Sequence, residues 1–345
     1  MDQEKDITIY DIAKTLNISP ATVSRGLKDH PAISKKTKKK INDTATAMGY
    51  RSNTFASNLR TKSTKTIGVI VPRLNSHFMS SAIAGMEKVA NAAGYNLIIS
   101  QSLETVKKEI LSAKTMFHSR VDGLMVSLAF DTEDISHFEL LIKKGIPLIF
   151  FDRVPQHNSC TNIVIDNYKV AYEATKHLID QGCKRILHIA GNLQRNVYAD
   201  RLKGYEQALS DSGVEKDPKL VLMSDLSIDA GLEATQYILN LDPQPDGIFA
   251  ANDAVAVGCV QALKLAGKKI PEDFAVVGFN NDPHSRVIEP NLTTIDYPGH
   301  EMGELAATTL INQLTGKSEI NVSRLVLRSE LIVRESSQKN KPPHE

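Results

Sequence analysis

Tryptophan is absent from the 345 residues, and cysteine occurs only three times. Cys160, Cys183 and Cys259 lie far apart with no metal-ligand spacing, so they read as reduced thiols and no metal site is expected. No apolar run approaches the ~20 residues that span a bilayer. The stretch Met1 to Lys5 is polar, without the apolar core of a signal peptide, so a cytoplasmic protein with no membrane partner is expected. Nucleotide and hydrolase motifs are missing too: there is no G-x-G-x-x-G after the first candidate strand, no P-loop lysine, no G-x-S-x-G elbow and no H-E-x-x-H. His77, His118, His137, His177, His188 and His284 are scattered, and none pairs with a nucleophile at short range. No catalytic residue and no cofactor are expected.

Charge is present but unevenly placed. The chain holds 41 Lys+Arg and 40 Asp+Glu, giving a formal net charge of +1. Residues 1–66 carry 13 of the bases and 6 of the acids, and the remainder carries 28 and 34. The head therefore has the charge of a polyanion's partner, and the body does not. With 41% hydrophobic residues the chain can bury full cores, and its length suits two or three domains.

The head is organised around Thr8 to Leu27. Thr8 is an N-cap with an acid three residues on, and Ile9, Ile12, Ala13 and Leu16 recur at helical spacing. Asn17 tolerates the left-handed conformation of a tight turn, and Ser19-Pro20 caps and starts a second helix. Val23 and Leu27 can pack on the first helix while Ala21, Thr22, Ser24 and Arg25 point away, an outer face suited to a DNA major groove. Ser34 caps a third helix running to about Met48. Its start carries Lys35, Lys36, Lys38, Lys39 and Lys40, placed for phosphate contact.

Ile9-Tyr10-Asp11-Ile12-Ala13 followed by Ser19-Pro20-Ala21-Thr22-Val23-Ser24-Arg25 resembles the signature of the lactose-repressor (LacI) family of bacterial transcription factors, and the similarity continues through almost the whole chain. The resemblance implies an N-terminal all-α helix-turn-helix domain (residues 1–52) and a hinge helix (53–64). An effector-binding and dimerisation domain (65–345) of two doubly wound α/β subdomains of periplasmic-binding-protein type follows. The lobes are expected at roughly 65–161 with 295–325, and 162–294 with 326–335. It implies DNA contact by Thr8, Tyr10, Ser19, Pro20, Ala21, Thr22, Ser24, Arg25 and Lys35 in the head and by Asn53, Ala56 and Leu59 in the hinge. Leu59 is the minor-groove wedge and Ala56 lets two hinges approach. On residues alone, 53–62 is also compatible with a plain linker, and the two short helices with a surface hairpin.

Beyond Lys65, apolar runs alternate with helical patterns. Residues 66–71, 96–100, 123–127 and 147–151 read as buried parallel strands, and 185–190, 220–223, 247–250 and 274–278 repeat the design. Gly85-Met86-Glu87, nine before Gly94, is echoed by Gly204-Tyr205-Glu206, nine before Gly213. Asp122-Gly123-Leu124 is echoed by Asp246-Gly247-Ile248. Offsets of 119 and 124 indicate two similar halves facing a cleft.

Strand-end residues that can meet in that cleft are Asn75, Ser76 and Phe78, then Asp152 and Arg153, then Arg195 to Arg201, Asn252 and Asp253, and Asn280 to Asp282. Acids, amides and arginines with an aromatic ring suit a small polyhydroxy molecule. Asn75, Phe78, Asp152, Arg153, Arg195, Arg201, Asn252, Asp253 and Asn280 are therefore the expected effector set. Against the family pattern, Gly278-Phe279 is followed by Asn280 where an aspartate is usual, and Leu226 argues against a stacked purine. The polar tail lacks heptads, so a dimer rather than a coiled-coil tetramer is expected. The expected function is a ligand-responsive regulator, most simply a repressor, binding a near-palindromic operator as a homodimer. The alternatives are a sugar sensor or carrier without a DNA role, and an enzyme on the same scaffold.

Overall fold

The computed structural model describes residues 7–50, 63–156, 159–317 and 324–339, in two compact units, Met1–Thr64 and Lys65–Glu345. In the first unit Thr8 opens α1 (Ile9–Leu16), its amide and hydroxyl both donating to the Asp11 carboxylate at 2.8 and 2.6 Å. Asn17 ends the helix at φ 54°, the left-handed cap that its short amide tolerates. Helix α2 (Pro20–Leu27) starts on Ser19, whose Oγ accepts from the Thr22 amide, and α3 (Lys35–Ala47) starts the same way on Ser34 and Thr37. Ile12, Ala13, Val23, Ile41 and Ala45 form the buried core. Gly26 has no side chain because α3 lies against it: a Cβ there would sit 2.4 Å from Ile41 Cδ1.

The second unit is two parallel sheets flanked by helices. The first sheet contains β1 (Thr66–Val71), β2 (Asn96–Gln101), β3 (Gly123–Val126), β4 (Leu148–Phe151), β5 (Thr161–Ile165) and β11 (Arg324–Leu327), in the order β11-β5-β4-β3-β1-β2. The second contains β6 (Ile186–Ala190), β7 (Val221–Met223), β8 (Gly247–Ala250) and β9 (Ala275–Val277), in the order β7-β6-β8-β9. Between them β10 (Thr294–Asp296) pairs antiparallel with β12 (Glu330–Ile332). The helices are α4 (His77–Ala92), α5 (Val106–His118), α6 (Glu139–Lys143), α7 (Asn167–Asp180), α8 (Asn196–Asp211), α9 (Ile228–Leu239), α10 (Asp253–Leu265) and α11 (Gly299–Leu314).

One expected boundary moves. Residues 162–165 and 326–327 are expected in the second lobe, but β5 lies between β4 and β11 in the first sheet, with Phe150 opposite Asn162 and Leu327 opposite Ile165. The cause is burial: Ile163, Val164 and Ile165 are inaccessible and complete the first lobe's core before the chain crosses over.

The echoed residues do matching work in the two lobes. Gly85 lets α4 approach α11, where a Cβ would lie 2.1 Å from the His300 carbonyl, and Gly204 lets α8 approach α7, with the Tyr168 carbonyl at 2.3 Å from a Cβ. Asp122 accepts from the Lys65 amide just before β1, and Asp246 accepts from the Lys184 and Arg185 amides just before β6. Each acid ties the start of one strand to its neighbour. Among the described residues no helix is long and apolar enough to cross a membrane.

Candidate functional site

On the head, α2 buries Val23 and Gly26 and leaves Ala21 and Arg25 exposed, with Thr22 and Ser24 half-buried. Ser19 and Thr22 are held by each other, their hydroxyl oxygens 2.8 Å apart, and Pro20 fixes the first turn. Tyr10 projects from α1 with 69% of its surface exposed. Lys35, Lys36, Lys39 and Lys40 are exposed along the start of α3. Lys38 departs from the expectation of phosphate contact: its ammonium is engaged by the Asp29 carboxylate at 2.7 Å and the Asp29 carbonyl at 3.0 Å, pinning the loop before α3. The hinge residues Asn53, Ala56 and Leu59 lie outside the described residues.

Between the two lobes of the second unit is a chamber of about 120 Å³. Six of the nine expected effector residues line it: Phe78, Asp152, Arg153, Arg201, Asn252 and Asn280. Asp152 follows β4 in the left-handed conformation, at φ 58°, which turns its carboxylate inward. That carboxylate accepts from the Tyr297 hydroxyl at 2.6 Å and from Ser127 Oγ at 3.1 Å. Burial, and next the Asp152 charge, push the Tyr297 phenol well above its ordinary pKa, so it stays a donor. Phe78 stacks on Tyr297, ring centroids 4.2 Å apart. Arg201 lies over the Phe279 ring at 3.4 Å, its Nε donating to Asn167 Oδ1 and its Nη1 to the Ala251 carbonyl. Burial lowers its pKa, yet two of its nitrogens are bonded and the ring face supports the charge.

Arg153 spans the cleft. Nη1 donates to Glu104 Oε2 at 2.7 Å on its own lobe, and Nη2 donates to the Tyr198 hydroxyl at 3.0 Å on the other. Burial opposes its charge, but Tyr198, Glu104 and Asp152 more than offset this and raise its pKa. Further bonds cross between the lobes. Asn196 Nδ2 donates to the Asp152 carbonyl and its Oδ1 accepts from the Val154 amide. Asn192 Nδ2 donates to the Phe130 carbonyl.

Three expected residues stand elsewhere. Asn75 is exposed in the turn after β1 and does not line the chamber. Arg195 is buried and donates through Nη2 to the Thr132 carbonyl, joining the lobes rather than facing a ligand. Asp253 lies beneath the site, fully buried, accepting from Thr294 Oγ1 at 2.6 Å and the Asp282 amide at 2.7 Å. Burial pushes its pKa up to about 8 against the pull of those donors. It begins α10, and the helix start turns its side chain into the core while Asn252, one residue earlier, stays at the wall.

Sequence reading misses Glu104, Phe130 and Tyr297, all lining the chamber, and takes in Tyr198 only as part of the stretch Arg195 to Arg201. Glu104 follows β2 by three residues and is within reach of the strand-end rule. Tyr297 is not, because it follows β10, a three-residue strand outside the eight expected apolar runs.

Another buried carboxylate supports the contact between the lobes. Glu109, inaccessible on α5, accepts from the Ala129 amide at 2.7 Å and the Thr132 hydroxyl at 2.9 Å, and lies 2.9 Å from His137 Nε2. It fixes the 129–132 segment whose carbonyls receive Asn192 and Arg195 from the other lobe.

Residues 8–53 match the bacterial regulatory proteins of the lacI family, and 175–337 match a periplasmic binding protein-like domain. Catabolite control protein A of Priestia megaterium is 31% identical over 334 residues, covering 96% of this chain and all of that protein. The HTH-type transcriptional regulator RegA of Clostridium saccharobutylicum is 33% identical, covering 96% and 99%. The chain belongs to the LacI family. Among solved LacI-type structures, the lac repressor bound to ONPG in its repressed state superposes with a TM-score of 0.85 at 25% identity, covering 96% of this chain and all of that one. The regulator CelR in complex with cellobiose superposes at 0.73 with 26% identity, covering 96% and 99%. As a LacI-family member the protein is a DNA-binding, ligand-responsive transcriptional repressor, not an enzyme. Its fold is the family's: a helix-turn-helix head and two parallel-sheet lobes.

Proposed function

We propose that the protein is a cytoplasmic, homodimeric repressor that binds a near-palindromic operator and is controlled by a sugar-like molecule in the inter-lobe chamber. The observation that carries this reading is the exposed face of α2 on a chain that also holds a walled polar chamber. Arg25 reads a guanine edge, Pro20 and Ala21 meet thymine methyls, and Thr22, Ser24 and Ser19 hold phosphates, aided by Thr8, Tyr10 and Lys35. Asn53, Ala56 and Leu59 contact the minor groove, with Leu59 as the wedge. Two-fold symmetry in the protein requires two-fold symmetry in the site. In the chamber, Asp152, Arg201, Asn252 and Asn280 take hydroxyl groups, and Phe78 offers a ring face. The ligand acts through its different affinities for the open and closed lobes, which alter how the two heads are held.

Selection of duplexes from a random pool by the intact protein tests the reading. Enrichment of a near-palindrome is expected. Recovery of the unselected pool would leave a ligand sensor without a specific site.

A further inference from the structure

Two sets of bonds join the lobes, and only one of them belongs to the chamber. Asp152, Arg153 and Tyr198 line it, so a ligand meets that set directly. The other set lies apart. Asn192 Nδ2 donates to the Phe130 carbonyl at 3.2 Å and Arg195 Nη2 donates to the Thr132 carbonyl, and neither donor lines the chamber.

Both acceptors are main-chain carbonyls in residues 129–132, which follow β3 as neither helix nor strand. With no ladder to fix it, such a segment presents its carbonyls at set positions only where side chains hold it. Glu109 does so from α5, receiving the Ala129 amide at one end and the Thr132 hydroxyl at the other. The carboxylate oxygen that takes Thr132 also lies 2.9 Å from His137 Nε2. Asp131 ties the same turn to the start of α5, accepting from the Val106 amide at 2.5 Å. Phe130 stands in the middle, its ring 4.3 Å from the Arg153 guanidinium and edge-on to Tyr198 at 5.8 Å, so a shift of the segment is felt at the chamber wall.

The electrostatics agree with the geometry. Burial, and next the Arg153 charge, lower the pKa of Arg195, while Glu109 and Asp131 pull it up. The charge that crosses between the lobes is therefore supported by the same two acids that hold its acceptor.

Resting on the reading that the lobes open and close, we propose that Glu109 and Arg195 are positioning residues for closure: Glu109 holds the 129–132 carbonyls in place, Arg195 docks on them, and the pair sets the balance of open and closed lobes without touching a ligand. A ligand that prefers the closed arrangement then binds in proportion to the fraction already closed, whatever its own chemistry.

The test is the inter-lobe distance in the full-length protein with no duplex and no small molecule added. Pulsed dipolar spectroscopy reads it from nitroxides on genetically encoded ketone side chains at Lys144 and Lys216, both exposed, one in each lobe. A hydrogen bond from a charged group is worth a factor of about ten or more in such a balance. Arg195→Gln should therefore raise the ratio of long to short distances about tenfold, and Arg195→Lys, which keeps a charged donor, should recover most of the short population. Glu109→Gln keeps the volume but puts an amide donor among groups that donate, and should shift the ratio the same way. Distances are taken well below each variant's thermal midpoint, so a loss of stability alone leaves them in place. Should Glu109→Gln fail to fold, Arg195→Gln and Asn192→Ala, which leave the first lobe's core intact, carry the test. An unchanged distribution in Arg195→Gln, or a shift in Arg195→Lys as large as in Arg195→Gln, would overturn the proposal. Duplex selection is measured separately, so failure here is distinct from failure of the repressor reading.

Discussion

Arg153 holds the two lobes in register through Tyr198, its Nη2 3.0 Å from the phenol oxygen. The same guanidinium engages Glu104, so Arg153→Ala removes the tie and leaves that half-buried carboxylate with only Arg73, 3.6 Å away. Hydrogen bonds to charged groups contribute about 1.5–3 kcal/mol each. The variant should bind any effector at least tenfold more weakly while its duplex affinity without effector changes little, as read by calorimetry and duplex titration. Tyr198→Phe should show a smaller loss in the same direction.

Glu109 is expected to matter for stability more than its distance from the ligand suggests. Glu109→Ala strands the Ala129 amide, the Thr132 hydroxyl and His137 in a buried site. Leaving a buried donor without its acceptor costs about 1–3 kcal/mol, measurable as a lowered urea midpoint. Glu109→Gln, which keeps one carbonyl acceptor, should recover part of the loss.

His188 makes stability depend on acid. The ring is inaccessible between Phe249 and Tyr205, centroids 4.8 and 5.1 Å away, and burial lowers its pKa to about 4 from 6.5. The unfolded chain binds the proton first, so this contribution is complete above pH 6.5 and is lost as pH falls toward 4, by about 3 kcal/mol. His188→Phe should flatten the fall in thermal midpoint across that window. An unchanged slope would remove His188 from the explanation.

Gly204→Ala should separate α7 from α8, because the added Cβ meets the Tyr168 carbonyl rather than a movable side chain. Overpacking of this kind costs about 1–3 kcal/mol, seen as a lower thermal midpoint. Gly213→Ala tests a different cause, since φ is +65° and no atom lies nearby.

The head makes two separable predictions. Arg25→Ala should flatten preference among duplexes, since a bidentate base pairing is worth about 1–3 kcal/mol of discrimination. Replacing Lys35, Lys36, Lys39 or Lys40 by alanine should weaken all duplexes alike and reduce the salt slope by about 0.9 for each phosphate no longer neutralised. Lys38→Ala should act through loop stability instead, because Asp29 already holds it.

The residues that speak plainly in sequence are those whose role is local. Thr8, Asn17 and Ser19 cap and turn by their own side chains, and the apolar runs between Thr66 and Phe151 are strands, buried except at 96–100, where the expected buried strand is the half-exposed sheet edge β2. The repeated glycines and Asp-Gly pairs disclose two halves because each meets the same packing demand twice. What stays hidden depends on where the chain comes back. Whether β5 joins the first sheet is decided by β4 and β11 on either side. Asp253 and Asn252 are neighbours at one strand end, yet the start of α10 buries one and presents the other. Tyr297 reaches Asp152 across 145 positions of sequence, a distance no local pattern encodes.

Fluorescence anisotropy of a labelled near-palindromic duplex, titrated with the intact protein at low ionic strength and then with bound effector, tests the central claim most directly. A ligand-responsive repressor gives saturable binding whose affinity shifts by roughly 5- to 150-fold when the effector is added. Binding that is absent on every duplex, or that no chamber ligand alters, would contradict it.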